Sequence, residues 1–253
     1  MKRILTSLAV AGVFASTLSA DFARVEMGGG LWTNTPSGTL SYEDSGATGL
    51  YTSNETSNGS IYAWILVKHP IPVLPNIRLE YTSVEDEGES TGSFNGFVAP
   101  LGSPSSLKIT QYDVIPYYNI LDNTFWMTID LGVDIKMAQI DYAAEGVTVA
   151  GVASSSYEDT TSLAIPLGYA RARVEIPATD IGFEADIKYI SYNASTVSDF
   201  RIKVDYTLGF IPVVQPAIEI GYRAQKYDLI SDDEKTKINL DFSGVYAGLM
   251  LRF

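Results

Sequence analysis

Between Phe200 and Phe210 the chain alternates strictly. Phe200, Ile202, Val204, Tyr206, Leu208 and Phe210 are apolar, and Arg201, Lys203, Asp205, Thr207 and Gly209 sit between them. The same period runs through 127–137, where Met127, Ile129, Leu131, Val133, Ile135 and Met137 alternate with Thr128, Asp130, Gly132, Asp134 and Lys136. It returns at 183–189, with Phe183, Ala185, Ile187 and Tyr189 against Glu184, Asp186 and Lys188. A period of two marks β-strands with two unlike faces. The pattern predicts ten strands, at 22–33, 59–68, 77–86, 106–118, 125–142, 160–176, 181–194, 199–210, 217–228 and 236–253.

Alternation alone also suits a soluble sandwich with its apolar face inward. Three features favour a membrane barrel. The apolar faces carry aromatics near strand ends. The strands reach the roughly 9–11 residues that a tilted membrane strand needs. The last strand, Gly244 to Phe253, ends on a terminal aromatic, with Val245, Ala247, Leu249, Leu251 and Phe253 on one face. Leu249, Leu251 and Phe253 resemble the C-terminal signal read by the barrel-insertion machinery. The fold expected is therefore an all-β, ten-stranded antiparallel up-and-down transmembrane barrel of outer-membrane type, apolar outside and polar inside.

An even strand number puts both ends of the barrel on the periplasmic side. The predicted connections then alternate. Residues 34–58, 87–105, 143–159 and 229–235 are long or polar, 195–198 is tight, and His69–Asn76, Asn119–Thr124, Pro177–Asp180 and Ile211–Pro216 are compact. Long outer loops and short periplasmic turns are the asymmetry of such barrels. The compact turns carry a weak repeat. Ile71-Pro72, Ile176-Pro177 and Ile211-Pro212 each close a strand, and Glu80, Glu184 and Glu219 follow eight or nine residues on. Within 106–118 the parity slips, because Leu107 and Ile109 share one face while Tyr112, Val114 and Tyr118 share the other. A bulge near Thr110 to Tyr112 is the expected remedy. Pro116 and Pro166 sit inside predicted strands.

The first residues read as an export signal. Lys2 and Arg3 precede an apolar run from Ile4 to Phe14, and small residues lead to Ala20. That order predicts a cleaved secretory peptide over 1–20 and a single barrel domain over 21–253. The apolar run is shorter than the roughly 20 residues of a membrane-spanning helix. Cysteine is absent, so no disulfide or thiolate metal site exists.

Four stretches resemble a family of small outer-membrane β-barrel proteins of epsilon-class proteobacteria. They are Gly28-Gly29-Gly30-Leu31-Trp32 with Pro36-Ser37-Gly38, Gln111-Tyr112-Asp113 through Asn123, Ile129-Asp130-Leu131-Gly132, and Gly244 to Phe253. The resemblance implies the barrel and its location. It implies no activity, so no functional residue is carried over.

The net charge of −13 argues against nucleic-acid partners, which need basic surface. Partners expected are outer-membrane lipids, lipopolysaccharide and, during assembly, the insertion machinery. Enzymatic outer-membrane barrels pair a serine or aspartate with histidine, and general-base work needs that histidine within hydrogen-bond reach. The single histidine, His69, falls next to Pro70 in a predicted periplasmic turn. No catalytic residue, cofactor or metal site is therefore expected.

The candidate site is the lumen. Basic residues expected to face it are Arg24, Arg78, Lys136, Arg171, Arg173, Lys188, Arg201, Lys203, Arg223 and Arg252. Acidic ones are Glu26, Glu80, Asp130, Asp134, Glu175, Glu184, Asp186, Asp205 and Glu219. A wall of one sign would suggest an ion-selective pore. Balanced signs suggest ion pairs that fill a barrel barely wider than one packed by side chains. Three roles follow: a structural or surface-display barrel, a narrow channel for small polar solutes, or a lipid-modifying enzyme. The remaining acid, Glu43, Asp44, Glu55, Glu85, Asp86, Glu87, Glu89, Asp228, Asp232, Asp233 and Glu234, is expected in or beside the outer loops. There it could share divalent cations with lipid phosphates.

Overall fold

The computed structural model describes residues 23–71, 73–124, 126–209, 214–231 and 233–253. The expected export signal lies outside them. Among the described residues thirteen strands form one antiparallel sheet. They are β1 (Arg24–Asp44), β2 (Ala47–Ser53), β3 (Asn58–Lys68), β4 (Asn76–Ser93), β5 (Phe97–Thr124), β6 (Met127–Glu145), β7 (Thr148–Val149), β8 (Val152–Ala153), β9 (Ser156–Glu175), β10 (Ile181–Tyr192), β11 (Ser195–Thr207), β12 (Gln215–Ile230) and β13 (Thr236–Arg252).

Ten of these close a ring in the order β1, β3, β4, β5, β6, β9, β10, β11, β12, β13 and back to β1. The seam joins the first and last strands from Glu26↔Arg252 to Tyr42↔Thr236. The remaining three strands lie at the outer end. β2 fills the wall above β3, between β1 and β4. The β7–β8 hairpin hangs on the start of β5.

Outward positions in the lower part of the ring are apolar. On β6 these are Leu131, Val133, Ile135 and Met137, on β11 Phe200, Ile202, Val204 and Tyr206, and on β12 Ile218, Ile220 and Tyr222. Leaving such side chains exposed is favourable in lipid and unfavourable in water. The belt ends abruptly. Above Tyr81 the outward face of β4 becomes Ser83, Glu85, Glu87 and Glu89, and above Met137 that of β6 becomes Gln139, Asp141 and Glu145.

The wall stands taller than expected. Most of 34–58 and 87–105 is strand and not loop: β1 continues to Asp44, β2 covers 47–53, β4 continues to Ser93, and β5 starts at Phe97. β9 likewise begins at Ser156. The bulge expected near Thr110–Tyr112 is absent, since β4 and β5 pair in register from Asn76↔Tyr117 to Ser90↔Ser103. The parity never slips. Leu107 and Ile109 are lumen residues, buried to 1% and 2% exposure, and Tyr112, Val114 and Tyr118 face lipid. The dense charge of the interior is thus confined to its lower half.

Candidate functional site

Tilted strands bring inward side chains from all ten ring members into one column. At its lower end Arg24 meets Glu26 at 2.5 Å, and Arg252 bridges Glu26 at 3.0 Å to Asp205 at 2.6 Å. Arg173 joins Asp205 at 2.7 Å and Glu175 at 3.1 Å. Arg24, Glu175 and Arg252 are partly exposed at this rim, and Glu26 is buried.

Higher up the three repeat glutamates act as hubs. Glu184 accepts from Arg171 at 2.6 Å and from Arg78 and Arg173 at 3.4 Å, with Lys203 Nζ 3.3 Å away. Arg171 also holds Asp130 at 2.6 Å. Glu219 lies 3.1 Å from Lys203 and accepts from the Tyr62 hydroxyl at 2.8 Å and the Trp64 indole at 3.2 Å. Glu80 binds Arg78 at 2.5 Å, Lys188 at 2.6 Å and Arg201, which also grips Asp186 at 3.1 Å. Trp64 underlies this layer, with Lys203 Nζ 4.5 Å and the Arg78 guanidinium 5.0 Å from its ring centre. Its indole lies across Gly28, where an added Cβ would approach the ring to 2.7 Å. That contact gives one physical role to the glycine run before Trp32.

The top charged layer centres on Lys188. Its Nζ contacts Glu80 and Asp113, and Asp134 and Asp199 each lie 3.8 Å away. Lys136 donates to Asp113 at 2.9 Å, and Arg223 to Asp199 at 2.6 Å. Gln225 bridges Asp199 and Gln111 at 2.8 and 2.9 Å. All nineteen charged residues expected to face the lumen lie on inward positions of the ring, and apart from the three at the lower rim they are nearly fully buried.

Asp113 and Asp199 were not foreseen among them. They turn ten cations against nine anions into ten against eleven. Asp199 shares the parity of Arg201 and Lys203, which was a readable signal. Asp113 was hidden by the false slip in β5. Gln111, Gln225, Tyr62, Trp32 and Trp64 also went unforeseen, because an amide or aromatic at an inward position resembles one at an interface.

Above the charges lies an apolar layer of Val84, Leu107, Ile109, Leu167, Val197, Leu240 and Phe242, all buried. Above that is a hydroxyl layer. Tyr51 and Ser53 donate to Asp86 at 2.8 and 2.9 Å, and Ser105, Ser90 and Tyr142 are linked at 2.8 and 2.6 Å. Asp86 was expected in or beside an outer loop, and it lies within β4, 1% exposed and facing inward. Its neighbours Glu85, Glu87 and Glu89 face out from a strand, and Glu85 pairs with Lys108 at 2.6 Å. The cavity between Trp64, Arg78, Glu184, Arg201 and Lys203 has room for about a single water.

Among the described residues no group of three or more histidine or carboxylate side chains is arranged to hold a metal. His69 lies in the turn between β3 and β4. Its Nδ1 accepts from the Ile71 amide at 3.2 Å, and its Nε2 lies 3.0 Å from the Pro75 carbonyl. Leu249 and Phe253 face outward at the seam, 67% and 41% exposed, with Leu251 on the same face.

A closed antiparallel ring with a lipid-facing apolar belt and a polar column inside is an outer-membrane β-barrel, and the bacterial outer membrane is its location. No protein-family model matches the chain, and no curated protein matches it. Among solved structures it is similar to the outer membrane protease OmpT from Escherichia coli, with a TM-score of 0.53, 10% identity, and coverage of 94% of this chain and 99% of that one. The translocator domain of the autotransporter NalP from Neisseria meningitidis aligns over 100% of this chain and 96% of its own, with a TM-score of 0.39 and 11% identity. The OmpT likeness shows the fold alone.

Proposed function

We propose that this barrel is a structural or surface-display protein whose lumen is closed by its own side chains. The observation behind this reading is the stacking of a dense ion-pair column beneath an apolar layer. An ion-selective pore needs a continuous wet path lined by available charge. Here the buried cations are matched by nearly equal acid, and Leu107, Ile109 and Phe242 lie across the column above them.

The reading is non-enzymatic. OmpT is a protease, but nothing at 10% identity carries a catalytic residue across. The only histidine of this chain is engaged within a turn at the opposite end from the hydroxyl layer. The resemblance to small barrels of epsilon-class proteobacteria agrees with a role that rests on the barrel itself. In assembly, Leu249, Leu251 and Phe253 serve as the face read by the insertion machinery, and the lipid belt and the polar wall above it meet lipid and lipopolysaccharide.

Planar-bilayer recording tests the proposal. Purified protein should insert without steady conductance steps. Steps that change when Arg201 or Lys203 is neutralised would establish a narrow polar channel in its place.

A further inference from the structure

The ring is closed on every side only up to the top of the lipid belt. β9 pairs with β6 along its whole length, from Met127↔Val174 to Glu145↔Ser156. Its pairing with β10 stops at Tyr189↔Gly168, two residues short of Pro166. Proline has no N–H to donate to a ladder. The β10–β11 hairpin turns back at Asn193-Ala194, level with the end of the belt. Above that notch β9 keeps one strand edge that no other segment of the described chain pairs. The exposure pattern agrees. Glu158, Asp159, Thr160, Thr161 and Ser162 are all exposed in succession, where a ring strand shows alternation.

An unpaired strand edge is a template for another strand, and proteins normally keep such edges short, bulged or covered. This one is in register with β6 and runs for eight residues beyond the belt, about 26 Å. We infer that the free edge of β9 at Ser156–Leu163 is a strand-addition site for an extended cationic peptide segment with apolar residues at alternate positions.

The two faces beside the edge choose that occupant. Outward, Glu158 stands on the strand next to the incoming one, and Asp141 and Glu145 stand one strand further back on β6, a surface that repels acid and attracts base. Inward, Leu163 and Ile165 are only half-buried at the notch and would accept apolar side chains of the opposite parity. A second copy of the chain fits less well, because it would bring the same acids to the same edge.

Full-length protein in detergent micelles tests this with a labelled ten-residue peptide of alternating lysine and valine. Saturable binding is expected, with slowed hydrogen exchange at the amides of 156–163. Combining Asp141→Asn, Glu145→Gln and Glu158→Gln should weaken binding about threefold, because one of these carboxylates borders the incoming strand and two lie a strand away. A peptide N-methylated along one edge should not bind, which needs no altered protein and so does not depend on variant folding. Equal binding of the methylated peptide or of a glutamate–valine peptide would overturn the proposal. So would unchanged exchange at 156–163, or protection there that grows with protein concentration alone, which would mean pairing between copies.

Discussion

Glu184 shows how the column works at the level of one side chain. Four cations, Arg78, Arg171, Arg173 and Lys203, lie within 3.4 Å of its carboxylate. Replacing it by alanine strands that charge where water cannot compensate. Removing one partner of a buried pair costs about 3–5 kcal/mol. Glu184→Ala should lose that much in reversible denaturant unfolding in lipid, and a loss under about 1 kcal/mol would show that solvent reaches the column. Asp86 is the opposite case, a buried carboxylate above the lipid belt held only by hydroxyls. Burial pushes its carboxyl above the usual range, against the opposing pull of Tyr51 and Ser53. A folded pKa raised above the unfolded one means that the folded state binds the proton more tightly. Stability of the β2–β4 contact is therefore greatest below the unfolded value and falls as pH rises towards the folded one. Hydrogen exchange at Tyr51–Ser53 should slow as pH is lowered through that window, after correction for the intrinsic rate, and Asp86→Asn should abolish the dependence. At this scale the sequence was informative wherever charge alternated with unbroken apolar parity. It failed at Asp113, Leu107 and Ile109, because an apolar residue that faces an apolar lumen layer has the same composition as one that faces lipid.

Among the strands, the ring members were legible and the outer extensions were not. Segments 34–58 and 87–105 are rich in serine, threonine, glycine and glutamate, a composition that reads as loop because strand prediction rests on contrast between faces. Above the membrane both faces of the wall meet water or hydroxyl layers, so the contrast disappears while the ladder continues. The β10–β11 hairpin illustrates a different local determinant. Tyr192↔Ser195 leaves a two-residue turn, and Asn193 and Ala194 have φ of 46° and 63°. Two residues in the left-handed region define the turn whose twist matches antiparallel strands, and glycine is favoured at its second position. Alanine pays a steric penalty there that glycine escapes. Ala194→Gly should stabilise the barrel by about 0.5–1 kcal/mol, read as a shifted unfolding midpoint at constant slope. Destabilisation would mean that the Cβ of Ala194 makes a favourable contact outweighing the strain.

For the molecule as a whole, the inside and outside of the barrel are defined by one choice of parity. Val204 lies in the lipid belt between Ile202 and Tyr206, with Phe183 and Ile220 as its strand partners. Arginine on the lipid face near the bilayer midplane costs about 2–4 kcal/mol, and Val204→Arg should show that loss in bilayers. No loss would mean that Val204 lies away from the midplane or does not meet lipid. Ring closure and strand number were readable because every hairpin repeats the same two-faced pattern. The height of the wall was not, because nothing in the alternation says where the lipid ends.

The seam between β1 and β13 has a consequence for how the chain reaches its native state. Every other junction in the ring links strands near in sequence, whereas Glu26 finds Arg252 across almost the whole polypeptide. Closing so large a loop carries an entropic cost that no nearby contact offsets in advance, and such non-local pairing slows folding. Until β13 pairs with it, β1 has one free flank, and any sheet formed without β13 has two unpaired borders. Commitment to the closed ring is therefore deferred until the carboxyl-terminal strand is in place.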